Sequence, residues 1–221
     1  LFHATCGGMG LTGIIISATI QLHPIKASFI SQKTIKADCI EAACEAFESN
    51  SDATYSVAWI DCLSRGKSLG RSIIMLGEHA EQGGLEIDTG QKVSVPFSTP
   101  SVLLNSLTMK AFNTAYWHKS KHNVSQTVGL MPYFYPLDAV GEWNRLYGRK
   151  GFVQFQCVVP KLDGVANMRK LLTEISNSGE GSFLAVLKQF GAGNENLLSF
   201  PTEGYTLALD FKVSDTAIKT V

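Results

Sequence analysis

Four side chains stand out in segments that are otherwise apolar. They are Gln154 and Gln156 in Phe152-Val153-Gln154-Phe155-Gln156-Cys157, Lys188 in Phe183-Leu184-Ala185-Val186-Leu187-Lys188, and Trp59 in Tyr55-Ser56-Val57-Ala58-Trp59-Ile60. Residues two apart on a strand share a face, so the glutamines point the same way. Two amides can orient hydroxyl groups through their donors and acceptors, an ammonium can bind an oxygen or offset negative charge, and an indole gives a flat apolar wall. The competing reading is plain solvent exposure of a one-sided sheet, with Lys188 snorkelling to water. The pocket is preferred because four such positions converge on one face.

A second candidate lies near the start. Gly8, Gly10 and Gly13 satisfy G-x-G-x-x-G within Gly7-Gly8-Met9-Gly10-Leu11-Thr12-Gly13. A dinucleotide fold needs a helix to open on that turn. Here Ile14-Ile15-Ile16 follow, then Thr19, Ile20 and Leu22, and such β-branched density predicts a strand. Strand, glycine turn, strand is the expectation, with the chain opening inside the first strand. The glycines then let backbone N–H groups approach a phosphate or a flavin edge. A tight hairpin with no ligand is the equal alternative.

The elements that must position these groups follow from periodicity. A strand over 28–36 leads to a helix, for which Asp38 is a possible cap and Ile40, Ala43, Cys44 and Phe47 form an apolar face. Strands are expected over 53–62 and 71–76. Residues 77–109 read as irregular, with strand character at 92–95, and 109–135 as an aromatic-rich and His-rich stretch with no assigned element. Asp138 is placed as the cap of a short helix over 139–147. The early order then recurs: strand 152–159, helix 162–176 with Val165, Met168, Leu171, Leu172 and Ile175 on one face, strands 182–190 and 205–213. Two β-α-β-β units predict an α+β fold, one antiparallel sheet with helices on one face. Alternation puts Val153, Phe155, Cys157 and Val159 at the back and the glutamines at the front.

Composition narrows the partners. The 221 residues carry 19 basic and 19 acidic side chains, with no basic stripe beyond Lys119-Ser120-Lys121-His122, which argues against nucleic acid. No apolar run approaches the ~20 residues of a membrane helix. Five scattered cysteines (Cys6, Cys39, Cys44, Cys62, Cys157) suit reduced thiols in a cytoplasmic protein, and no ligand spacing suggests a metal. Both ends read as cuts in a longer chain, with Ser214 or Asp215 starting a helix that has barely begun.

Several blocks then resemble one family: Phe2-x-Ala4-Thr5-x-Gly7-Gly8-x-Gly10-Leu11-Thr12-Gly13-Ile14-Ile15, Ala58-Trp59-x-Asp61, Tyr135-Pro136-Leu137-Asp138-x-x-Gly141-Glu142-Trp143-Asn144-Arg145-x-Tyr147-Gly148, Gly151-Phe152-x-Gln154-x-Gln156, Leu198-Ser199-Phe200-Pro201 and Asp210-Phe211. Together they resemble the flavin-dependent oxidases of the vanillyl-alcohol-oxidase type, in particular the branch that oxidises a polyprenyl-linked sugar as half of an epimerisation. The resemblance implies that residues 1–27 end an FAD-binding domain and that 28–221 are most of a substrate domain. It also implies FAD in the full-length protein and its absence from this fragment.

By position, the resemblance places Gly7, Gly8, Gly10, Leu11, Thr12, Gly13 and Ile15 along the FAD, with Ile15 near the adenine end. Val57, Trp59, Phe134, Leu137, Gln154, Gln156, Val186, Lys188, Phe190, Thr206 and Ala208 would line the cavity, and Lys188 would act on the substrate oxygen. Three positions depart from that branch: Ala208 replaces a cysteine, Thr206 an asparagine and Phe134 a tyrosine. The wall is less polar and lacks the thiol, so reagents aimed at that cysteine should not act here. The implied reaction is oxidation of a secondary alcohol of a sugar or polyol by hydride transfer to flavin, with a partner reductase completing an epimerisation. The implied setting is cytoplasmic, with membrane association open. The alternatives are an aldonolactone or sugar-alcohol oxidase and, for the fragment alone, a non-catalytic ligand-binding or dimerisation module.

Overall fold

Alternating side chains sort the strands into two faces, and the register fixes which residues share one. The computed structural model describes residues 1–87, 90, 93–100, 105–182 and 184–214. Seven strands form one sheet: β1 (Phe29–Ala37), β2 (Tyr55–Ile60), β3 (Ser72–His79), β4 (Val124–Gly129), β5 (Phe152–Pro160), β6 (Ala185–Phe190) and β7 (Gly204–Lys212). Their order is β4-β1-β3-β2-β6-β7-β5, and every neighbouring pair is antiparallel. Three longer helices accompany them: α1 (Ile40–Glu48), α2 (Ser106–Lys119) and α3 (Gly164–Ser178).

The two expected units are β1-α1-β2-β3 and β5-α3-β6-β7. In each, the third strand lies between the first two. The units meet along β2 and β6, where Ala58 pairs with Leu187 and Trp59 with Val186. The back of this sheet is the core. Ala58, Ile60, Ile74, Leu187, Leu207 and Leu209 are fully covered by α1 (Ile40, Ala43, Phe47) and α3 (Met168, Leu172, Ile175). Burying each large side chain contributes about 1.5–3 kcal/mol, so this layer holds the sheet flat against its helices. Glu48 ties the rim: it accepts from Gln189 Nε2 (2.8 Å) and Tyr205 Oη (2.9 Å) and pairs with Lys161 (2.9 Å).

α2 lies on the other face, in the stretch for which no helix was expected. Its buried residues Met109, Asn113 and Trp117 recur at four-residue spacing, but one of them is polar, so the apolar stripe is broken. Its start is nonetheless marked by a capping box. Asn105 accepts from the N–H groups of Leu107 and Thr108, and the Asn105 N–H donates to Thr108 Oγ1.

Other expectations change. Phe2–Thr5 is a single helical turn rather than a strand. Residues 14–22 form no strand: they make no backbone hydrogen bond among the described residues, and Ile14 and Ile16 are 94% and 96% exposed. A strand exists only as a pairing, and these isoleucines have no neighbour here. Asp38 does not cap α1; Cys39 holds that position with no side-chain bond. The helix over 139–147 is a bridge at Val140–Gly141 followed by a 3-10 turn at Trp143–Tyr147, because Glu142 adopts a left-handed φ of 57°. Of the expected strand over 92–95, Val93–Ser94 pairs in parallel with Val140–Gly141, while Lys92 lies outside the described residues. Phe183, within the expected 182–190 strand, and the helix expected at Ser214 or Asp215, whose residues run past 214, also lie outside them.

Candidate active site

The register aligns one row across four strands. Trp59 pairs with Val186, Val186 with Ala208, and Ala208 with Gln156. Directly paired residues share a face, so these four side chains stand together on the front. A second row adds Lys188 opposite Thr206, and a third adds Gln154 opposite Asp210. Val57 and Phe190 fall on the same side by alternation. The sheet therefore brings together Val57, Trp59, Gln154, Gln156, Val186, Lys188, Phe190, Thr206 and Ala208.

Gln154, Gln156 and Lys188 are exposed on this face, and the backing is polar and ordered. Gln154 Nε2 donates to Asp210 Oδ1 at 2.8 Å, and Gln156 Nε2 to Thr206 Oγ1 at 3.2 Å. Thr206 Oγ1 in turn donates to the Cys157 carbonyl at 2.9 Å. Asp210 is 6% exposed. Burial pushes its carboxyl above the usual carboxylate range, and the Gln154 bond pulls it partly back.

Walls rise on two sides. α2 is clamped over β2 and β3 by a buried pair: Arg71 donates to Asp61 Oδ2 from Nε (2.9 Å) and approaches it with Nη2 (2.8 Å), while Asn113 Nδ2 donates to Asp61 Oδ1 (2.8 Å). This seats Trp117 on Trp59 and Ile73, with the Lys36 ammonium 4.2 Å from the Trp117 ring. Tyr116 meets the Trp59 ring edge-on at 4.9 Å and stacks with Phe112 at 6.0 Å. Trp59 is thus almost wholly covered and braces the wall; Tyr116 and Phe112 carry the exposed aromatic surface. Across the face, Phe152 packs against Tyr147 (4.7 Å) and Trp143 (5.4 Å). An open hollow of about 530 Å³ lies beside Phe152, lined by Ser98, Asn144, Arg145, Arg149 and neighbouring glycines.

Phe134 stands further along β2, its ring 4.8 Å from that of Tyr55. It is set by Tyr133, whose hydroxyl approaches the carbonyls of Tyr55 and Met75 (both 3.3 Å) and whose ring lies where a Cβ on Gly77 would be, at 2.5 Å. Leu137 is half-buried in the turn that follows. The glycine loop is elsewhere. Gly7, Gly8, Gly10, Leu11, Thr12, Gly13 and Ile15 belong to the N-terminal segment, whose first residues meet the loop after β6: the Leu197 N–H donates to the His3 carbonyl (3.2 Å), and Gly7 abuts Leu198. No described contact joins these residues to Lys188 or the glutamines.

The groups this face presents are two amides and an ammonium. Burial pushes the thiols of Cys44 and Cys62 up to about 12 and that of Cys157 upward. All five cysteines are unpaired, and no acidic, His or Cys cluster suited to a metal occurs among the described residues. No described helix is long and apolar enough to cross a membrane. Sequence reasoning gave Asp210, Tyr116 and Phe112 no part in the site. Asp210 had a signal: a carboxylate in Thr206-Leu207-Ala208-Leu209-Asp210, two residues from Ala208 and therefore on its face.

No family model matches the chain. It is 37% identical over 224 aligned positions to the decaprenylphosphoryl-beta-D-ribose oxidase of Mycolicibacterium smegmatis, a match covering 96% of the chain and 48% of that protein. It is 26% identical over 234 positions to an uncharacterized protein in the mprA 5' region of Streptomyces coelicolor, covering 99% of the chain and 63% of that protein. The chain therefore spans about half to three-fifths of these curated relatives. Over the span they share, the chain is a homologue of the decaprenylphosphoryl-beta-D-ribose oxidase, the kinship its motifs announced.

Proposed function

We propose that the chain is the substrate-domain part of an FAD-dependent oxidase acting on a secondary alcohol of a lipid-linked sugar, with residues 1–27 the end of its FAD-binding domain. The observation that carries this reading is the aligned row Trp59, Val186, Ala208 and Gln156, flanked by Lys188 and Gln154 on one open face. FAD, when bound, would supply the acceptor for the hydride that leaves the carbinol carbon as the C–H bond breaks, and the hydroxyl proton would leave to solvent.

The glycine loop suits one edge of such a group. Gly10 and Gly13 hold φ of 75° and 130°, and nothing lies within 4 Å of where a side chain would start. Backbone there can approach a ligand closely.

In this reading the chain's own residues bind and orient. The Lys188 ammonium holds the substrate oxygen and favours negative charge developing on it, since a positioned donor acts most strongly where charge appears in the transition state. Gln154 and Gln156 fix the remaining hydroxyls. The apolar wall of Tyr116, Trp59 and Val57 excludes water. The hollow beside Phe152, with Arg145 and Arg149, gives an anionic phosphodiester a place near the Gln154 end. That hollow favours a phosphate-linked sugar over a free aldonolactone.

The test is anaerobic flavin bleaching in the full-length protein with a polyprenylphosphoryl-ribose, an aldonolactone and a simple polyol as reductants. The phosphate-linked sugar should reduce the flavin fastest, and Lys188→Ala should slow reduction at saturation by roughly a hundredfold. Near-wild-type reduction by K188A removes the lysine from the chemistry, and preference for the lactone overturns the substrate class.

A further inference from the structure

The two glutamines are not free to turn. A glutamine amide offers an acceptor at one end and two donors at the other, and the ends differ only by a half-turn of the last torsion. Here each is decided by what stands behind it. The Thr206 hydroxyl gives its single proton to the Cys157 carbonyl at 2.9 Å, so toward Gln156 its oxygen can only accept, and Gln156 must present Nε2 to it. Behind Gln154, Asp210 Oδ1 accepts the Nε2 bond at 2.8 Å, which turns the Gln154 Oε1 away from it. The carboxylate and hydroxyl are buried, whereas both amides are exposed at their outer ends. Among the described residues neither Oε1 has a partner.

We infer that Asp210 and Thr206 are positioning residues that lock Gln154 and Gln156 with their carbonyl oxygens as the free acceptors, so that this face selects a ligand presenting hydroxyl donors to the glutamines and an oxygen acceptor to the neighbouring Lys188. This rests on the reading that the substrate lies on this face. It divides the recognition surface by polarity: acceptors on β5 and a donor on β6, bridged by β7, which carries the two residues that set the polarity. A sugar fits because each hydroxyl can donate, while the oxygen of the carbinol to be oxidised can accept from the ammonium.

The experiment inverts the pair behind Gln154 in the full-length flavoprotein. In D210N/Q154E the asparagine amide can donate inward to the new carboxylate, and the ligand still meets acceptor oxygens and no N–H. The apparent Kd for polyprenylphosphoryl-ribose, taken from the concentration dependence of flavin bleaching at high salt, where the new carboxylate is screened from the phosphodiester, should stay within about threefold of wild type. Gln154→Leu, which removes the acceptor, should raise it about tenfold with a smaller change in the limiting rate. A folded, flavin-loaded D210N/Q154E whose Kd rises as far as that of Q154L overturns the inference, because the ligand then needs the amide N–H. No effect from Q154L takes the substrate off this face and overturns the underlying reading instead.

An independent readout needs no substrate. Q154E alone sets two carboxylates together and should lower the urea midpoint, and adding D210N should recover it; absence of recovery overturns the contact itself. Should D210N/Q154E not accumulate, Thr206→Val tests the same lock at Gln156. Its Kd should rise in a folded, flavin-loaded protein whose melting temperature falls with the lost bond to the Cys157 carbonyl, and an unchanged Kd overturns the inference there.

Discussion

The two faces of the sheet are built from the same strands and treat polar groups in opposite ways. On the back, carboxylates stay at the rim. Glu41 and Glu48 are half-exposed, and bonds to Arg169 and Lys161 hold both below the usual carboxylate range. On the front, Asp210 sits inside the row of side chains and burial drives it the other way. A rim carboxylate strengthens the fold by being charged, whereas an interior one weakens it. The back face is arranged for stability. The front keeps a costly group where hydrogen-bond polarity is needed.

Neighbours on β6 make the sharpest break in that comparison. Leu187 is fully buried at the back, and Leu187→Ala should cost about 2–5 kcal/mol in denaturant unfolding of the full-length protein. Val186, one residue earlier and facing front, should cost about 1 kcal/mol when cut to alanine. Equal losses would mean that the front is as tightly covered as the back.

Asp210→Asn separates the faces by pH. The folded pKa of Asp210 is raised, so the native state holds its proton longer than the unfolded chain does. Stability should therefore fall as pH rises from the unfolded carboxylate value through the folded one. D210N removes that fall and should gain on wild type toward neutral pH, with the two converging in acid; a constant difference in urea midpoint across pH would refute it. The smallest effect is expected from Arg169→Gln. The lowered Glu41 contributes stability that is present above its unfolded value and lost as pH falls through the folded one. The exposed pair should thus shift the midpoint barely measurably at neutral pH, and not at all in acid. A large change would mark the helix rim as more than a solvated ion pair.

What the sequence discloses follows the same division. Strong two-residue alternation in β5 and β7 and the Ile40, Ala43, Cys44, Phe47 stripe of α1 lead directly to the back core, because a single apolar face decides those elements. The site residues on the sheet were legible too: once two β-α-β-β units share a sheet, parity alone sets Gln154, Gln156, Lys188 and Trp59 on one side. α2 was not, since Asn113 interrupts its buried stripe to serve Asp61, a partner 52 residues away. Nor was the fate of residues 14–22. Their composition demands a neighbouring strand, and composition alone does not say where that neighbour is. Alternation in β7 sets Asp210 on the front as well, but its role there depends on the cross-strand bond to Gln154, which the sequence does not disclose.

The narrow seam between β2 and β6 has a consequence for how such a face comes into being. Each half pairs its own three strands and carries its own helix, and the halves are joined by two registered residue pairs between β2 and β6 and by one core cluster that draws on both. Gln154, Gln156 and Lys188 stand on the second half, and the Trp59, Tyr116 and Phe112 wall on the first. A tilt at that seam would change the spacing between the aromatic wall and the polar groups, and because the core behind it is shared by both halves, the packing that holds the fold also sets that spacing.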